Sequence, residues 1–218
     1  DYLKAGESTQ ADKSFSKAAN LYKKAGSLEL ASELIDARLS IDPTQVELYF
    51  EKADIEQQLG NFESAIKQMN DLMDYSPDQD QKLTALQKIV ELNPKHVTSR
   101  HRIAEHCLDE NRTSLALEQF RFLSEHYFNE KEWAKFEDVI EQAIQLAPSE
   151  IDLHLFKIKF WIETDEIHAK LDEIYQLANQ LTEYRKHDEA EQILNLIKDH
   201  VEAEDEDYLR CVSRLEDV

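Results

Sequence analysis

The residues best equipped for chemistry in this chain are its histidines, cysteines and carboxylates. Their densest grouping is His101-Arg-Ile-Ala-Glu105-His106. A metal-binding helix of the H-E-x-x-H or H-x-x-E-H kind needs two histidines four residues apart, so that both imidazoles meet one ion. His101 and His106 are five apart and diverge by about 140° on a helix of 3.6 residues per turn. His126, His154, His168, His187 and His200 stand singly. Cys107 and Cys211 lack a C-x-x-C partner; Cys107 reads as a packing thiol, and the pair favours a reducing compartment. The glycines are Gly6, Gly26 and Gly60 alone, which excludes G-x-G-x-x-G and G-x-x-x-x-G-K-[ST] phosphate cradles. Ser, His and Asp occur without a nucleophile elbow. Trp133 and Trp161 fall at apolar helical spacing and read as core anchors. The sequence therefore offers no catalytic set, no metal site and no cofactor site, and it reads as a non-enzyme.

The elements behind these residues follow from composition and punctuation. The 218 residues carry 46 Asp+Glu against 25 Lys+Arg, a net charge of −21. Such a surface repels a phosphate backbone, so nucleic acid is not the expected partner. A content of 41% hydrophobic residues with long periodic stretches argues for a folded chain. Three Gly and four Pro are too few for an all-β chain that turns every few residues. Apolar runs are short, so direct membrane insertion is not expected. The chain opens DYLKAGESTQ, without Met or a signal sequence. That reads as a cut or processed end, and it leaves periplasmic or membrane-tethered placement open beside the cytoplasmic expectation. Residues 1–40 hold six basic and six acidic residues, so the whole excess of acid lies in 41–218. This asymmetry suits either a basic partner or a solvated acidic face. The run Glu202-Ala-Glu-Asp-Glu-Asp207 reads as a solvated turn or a helix start.

A shift of 34 residues superposes Ala19 on Ala53, Gly26 on Gly60, Ala31 on Ala65 and Pro43 on Pro77. Small residues allow helices to cross closely, Gly ends a first helix in the left-handed region, and Pro stops the second. Caps and periodicity predict helices over roughly 11–25, 28–41, 45–59, 62–75, 79–93, 96–110, 113–128, 131–146, 150–163, 167–184, 187–200 and 204–215. Asp42, Asn61 and Thr113 are the expected N-caps. A second period of 51 residues relates Pro43 to Pro94, Ala53 to Ala104 and Ala65 to Ala116, and Pro94 to Pro148 is 54. It suggests three-helix units at 46–94, 97–148 and 151–201. In the helix over 113–128, Leu115, Ala116, Gln119, Phe120 and Leu123 form an apolar stripe opposite Glu118, Arg121 and Glu125.

These positions resemble the tetratricopeptide repeat family. Residues 12–45 fit through Ala19, Tyr22, Gly26, Ala31, Ile35 and Pro43, and 46–79 through Ala53, Gly60, Ala65, Met69 and Pro77, with Glu56 departing from a large-residue position. Residues 97–130 fit through Ala104, Cys107, Ala116, Phe120 and Leu123, with Asn111 in the glycine place. Residues 171–204 fit more loosely. The resemblance implies an all-α, right-handed superhelical solenoid of antiparallel helix pairs, about twelve helices in one domain over 1–218. It implies a bacterial-type scaffold or adaptor that binds a protein or peptide partner in a concave groove, with no cofactor. Carried over by position, the expected contact residues are Asn20, Lys24, Phe50, Asp54, Gln57, His101 and Glu105, with Phe50 as an exposed aromatic. The carboxylate clamp of chaperone-binding members is poorly matched, because Glu51 stands where an Asn is needed. Two other readings stand beside this one. The chain could be a recruiting or regulatory domain of a larger enzyme. It could instead be a self-assembling module, a homo-oligomer joined through its end helices, where Tyr208, Leu209, Val212 and Leu215 give the last helix an apolar side.

Overall fold

Helix-forming stretches punctuated by Gly, Asn and Pro become α1 (Tyr2–Ala25), α2 (Leu28–Ile41), α3 (Val46–Gln58), α4 (Phe62–Tyr75), α5 (Gln79–Leu92) and α6 (Val97–Asp109). They continue as α7 (Thr113–Asn129), α8 (Trp133–Leu146), α9 (Ile151–Glu163), α10 (Leu171–Glu183), α11 (His187–Ile197) and α12 (Glu206–Glu216). The computed structural model describes residues 2–202 and 205–216, with side chains over 7–202 and 205–215. Among the described residues there is no strand. The twelve expected helices are present. The first starts nine residues earlier than its caps suggested, because nothing in 2–10 stops a helix. The tenth is preceded by a 3-10 turn over Ile167–Lys170. Of the acidic run, Glu206 and Asp207 form the first turn of α12, and residues 203–204 lie outside the described residues.

The connections follow two chemistries. Gly26 (φ 77°), Gly60 (φ 80°) and Asn111 (φ 57°) adopt the left-handed conformation, as do Lys131, Asp165 and Arg185. Each closes a helix through the same pair of backbone bonds. Around Gly60, the Asn61 amide donates to the Glu56 carbonyl at 2.8 Å and the Gly60 amide to Gln57 at 3.0 Å. Around Lys131, the Glu132 amide donates to Tyr127 at 2.9 Å and Lys131 to Phe128 at 3.1 Å. These bonds satisfy carbonyls that a helix end leaves orphaned. The remaining turns among α2–α6 and α8–α9 carry Pro43, Pro77, Pro94 and Pro148.

Two of the expected caps are corrected. Asp42 is the C-cap of α2, and its carboxylate accepts from the Thr44 amide and hydroxyl in the proline turn. Thr113 is already inside α7. Asn61 does occupy an N-cap position, although its side chain makes no cap bond. Asp78 is a true N-cap, accepting from the Asp80 and Gln81 amides; its place after Pro77 concealed it.

The chain divides into two units, Asp1–Gln119 and Phe120–Val218, with the division inside α7. In the first, α1 packs on α2, α2 on α3, α3 on α4, and α5 on both α4 and α6. Ala31, Ile35, Leu48 and Ile55 form a core cluster that Leu28, Leu39 and Leu59 cover. In the second, α8 packs on α9, and α12 on α10 and α11. Its centre is aromatic: Phe136 is fully buried, with ring centroids of Phe128, Phe156 and Phe160 at 5.5, 5.1 and 4.9 Å. In α7 the stripe is buried at Ala116, Gln119, Phe120 and Leu123, but Leu115 is exposed. Leu115 lies at the stripe's edge in the first turn, about 100° from Ala116. Trp161 is buried and Trp133 half-buried. Lys157 stacks over the Trp161 ring at 4.7 Å and pairs with Glu141 and Glu173. Cys107 and Cys211 are buried free thiols, and burial raises both of their pKa values.

Candidate partner-binding face

On α3, Phe50, Asp54 and Gln57 follow at four- and three-residue spacing and share one side of the helix. That side is built together with α5. Lys88 of α5 places its ammonium 3.0 Å from the Asp54 carboxylate, and it donates to the Gln57 side-chain oxygen at 3.0 Å and to Glu91 at 3.0 Å. The Lys88 side chain is 15% exposed and that of Asp54 56%. Burial works to lower the Lys88 pKa, but its hydrogen bonds to Asp54 and Glu91 and their charges outweigh it and hold the group above the ordinary lysine value. A buried ammonium keeps its charge only where carboxylates meet it in this way.

Lys23 of α1 pairs with Glu51, which lies about 60° from Asp54 around α3. Glu51 is thus not a bare carboxylate. Asn20 and Lys24, beside Lys23 on α1, are exposed. Charged side chains therefore tie α3 to α1 and to α5, helices that are not its neighbours in sequence.

The seven expected contact residues separate into two groups. Asn20 and Lys24 lie on α1, and Phe50, Asp54 and Gln57 on α3. Phe50 is half-buried rather than exposed, and Gln57 is half-buried and accepts from Lys88. His101 and Glu105 lie on α6. His101 is half-buried, and Glu105 is exposed at the rim of a shallow recess between α5 and α6, with Lys82 and Arg102. Lys88 and Glu91 were missed by sequence reading. Their helix falls between the 46–79 and 97–130 matches, and only the Lys88–Glu91 spacing of three residues marked them.

Glu56, the departure from the repeat pattern, also finds its reason. It is buried, accepts from the Ser32 hydroxyl at 2.6 Å and from the Asn61 amide at 3.0 Å. Burial raises its pKa, but the bonds from Ser32, Asn61 and Ser64, with the charge of Lys52, bring the net shift below the ordinary range. A carboxylate thus stands where an apolar residue is usual because α2 and the α3–α4 turn supply its donors.

The tetratricopeptide repeat family model matches residues 46–79, the stretch that holds α3, the Gly60 turn and α4. The chain carries a tetratricopeptide repeat. Within this repeat the small residues Ala53 and Ala65 are fully buried where α3 and α4 meet. PilF of Pseudomonas aeruginosa is 16% identical, with a TM-score of 0.36 over 97% of this chain and 87% of that one. YrrB, a TPR protein with an unusual peptide-binding site, is 19% identical, with a TM-score of 0.31 over 72% of this chain and 97% of that one. MamA from Desulfovibrio magneticus RS-1 is 14% identical, with a TM-score of 0.28 over 88% of this chain and 98% of that one. Scores at this level transfer neither a helix arrangement nor a binding site. No curated protein matches the sequence. Among the described residues no helix is long and apolar enough to cross a membrane.

Proposed function

We propose that the chain is a non-catalytic protein-interaction scaffold that holds a peptide or helix of a partner protein on its α1–α3–α5 side. The observation that carries this reading is the cross-linking of the three helices by Lys23–Glu51 and by Lys88 with Asp54 and Gln57. Asn20, Lys24, Asp54 and Glu91 are exposed on these three helices, and Phe50 of α3 is half-buried. A surface held rigid before binding leaves most of the ordering cost on the arriving segment. Lys88 offsets one of the two carboxylates it touches, so Asp54 and Glu91 keep acceptor capacity for a donor-rich partner segment. A reducing compartment such as the cytoplasm suits the two buried free thiols.

The test is crosslinking of the tagged protein in its host, compared with a Phe50→Ala/Asp54→Lys double variant whose helicity is checked by circular dichroism. Loss of the partner at unchanged helicity supports the site. An unchanged set of partners removes it. A second reading rests on α12, where Leu209 is exposed while Cys211 is buried. Self-association through that helix would appear as a concentration-dependent sedimentation coefficient, and a monomer at every concentration dismisses it.

A further inference from the structure

Three potential metal ligands meet where the start of α5 passes the end of α6. They are a carboxylate oxygen of Asp80, an imidazole nitrogen of His106 and a carboxylate oxygen of Glu110, all within 4.8 Å of one another. His106 and Glu110 are four residues apart, the spacing that stacks two side chains on one helical face. Asp80 arrives from the antiparallel neighbour. The His106 Nε2 atom is buried and has no hydrogen-bond partner. It lies 3.4 Å from a Glu110 oxygen without hydrogen-bond geometry. A buried ring nitrogen in that condition is a free ligand atom, because leaving it unsatisfied costs stability and metal coordination would satisfy it.

The spacing suits one small ion. Tetrahedral Zn²⁺ with bonds of about 2.0–2.1 Å sets its ligand atoms about 3.3 Å apart. The His106–Glu110 separation of 3.4 Å already has this value. Asp80, 72% exposed, is free to swing inward. The two carboxylates already share a cation, the Arg112 guanidinium, at 2.7 Å from Glu110 and 3.3 Å from Asp80. The Arg112 side chain is 42% exposed and can leave for water. One imidazole with two carboxylates favours zinc over calcium or magnesium, which prefer oxygen ligands throughout.

We infer that Asp80, His106 and Glu110 form a Zn²⁺ site, with water as the fourth ligand, that displaces Arg112 and clasps α5 to α6. The sequence concealed it because Asp80 lies 26 residues before His106 and the nearest second histidine points elsewhere. The site lies apart from Asp54 and Lys88, so it stands or falls separately from the proposed partner face.

The test is calorimetric titration of the whole chain with ZnCl₂ after chelator dialysis, at neutral pH. One site per chain is expected, with a rise in the melting temperature. His106→Gln should weaken binding by at least about tenfold, since losing even an outer partner of a metal ligand costs that much. Asp80→Asn should do the same, and since Asp80 is exposed the fold is not at risk. Arg112→Gln should strengthen binding, since it removes the competing cation; a merely acidic surface gives no reason for His106→Gln to matter. Absence of binding by the wild-type chain overturns the inference. So does equal zinc affinity in the wild type and both ligand variants, which would place the ion elsewhere on the acidic surface.

Discussion

Lys88 sits 3.0 Å from Asp54, although one belongs to α5, the other to α3, and a whole helix separates them in sequence. The contact places α5 on the same side as the helix that opens the matched repeat. With the Lys23–Glu51 pair, it links α1, α3 and α5 through charged side chains.

Removing this contact should matter modestly. The carboxylates that Lys88 meets are more than half exposed, and exposed ion pairs contribute about 0–1 kcal/mol. Lys88→Met, which keeps the aliphatic stem, is expected to lower stability by about 1 kcal/mol in urea unfolding, with Asp54→Asn costing less. The folded-state pKa of Lys88 is raised. Its contribution is therefore complete below the unfolded value of about 10.4 and is lost as pH climbs through the higher folded value. The gap between wild type and Lys88→Met should stay constant from pH 6 to about 10 and close only above that.

Glu56 gives the opposite sign. Its folded pKa is lowered, so its contribution is complete above about pH 4.3 and fades as pH falls through the lower folded value. Glu56→Ala leaves the buried Ser32 hydroxyl without its acceptor and is expected to cost about 1–3 kcal/mol at neutral pH. Glu56→Gln is the cleaner probe of charge. Its deficit relative to wild type should shrink in acid, and denaturation curves at pH 7 and near pH 3 would measure it.

The aromatic centre of the second unit should be its most sensitive point. Phe136→Ala removes a ring enclosed by three others and is expected to cost about 3–5 kcal/mol. Phe120→Ala, at 2% exposure, is expected in the same range. Leu115→Ala, on the exposed edge of the same helix as Phe120, should change the melting temperature little. Equal shifts for Phe120→Ala and Leu115→Ala would contradict the packing described for α7.

The turns allow a prediction that concerns only the backbone. No atom beyond the adjoining residues lies within 4 Å of a β-carbon built on Gly60, yet its φ is 80°. Gly60→Ala should therefore cost about 1 kcal/mol through conformation alone. Lys131 and Arg185 hold similar φ values as non-glycine residues. Lys131→Gly and Arg185→Gly should each gain about a few tenths of a kcal/mol in thermal melts, since relief of the left-handed strain exceeds the added freedom of the unfolded chain.

Much of the fold was legible because helices, their glycine stops and their prolines are local signals. The small residues Ala53, Ala65, Ala104 and Ala116 marked where helices meet, and all four are fully buried. Left-handed turns at Lys131 and Arg185 were not legible, since those residue types announce no such conformation, whereas Asp165 is of a type that tolerates it. Asp42 misled because an acidic residue before a proline turn resembles a helix N-cap. The site was legible only in part. Positions on α1 and α3 followed from the repeat register, but the partnership of Asp54 with Lys88 depends on which non-consecutive helices lie side by side. Phe50 read as exposed because a repeat position gives a direction and not a depth.

The most direct measurement is site-specific photocrosslinking in the host, with the reactive side chain placed in turn at Asn20, Asp54 and, as a control on the exposed surface of α4, Lys67. The account predicts partner adducts from positions 20 and 54 and none from 67. Adducts from 67 with none from 20 or 54 would contradict it.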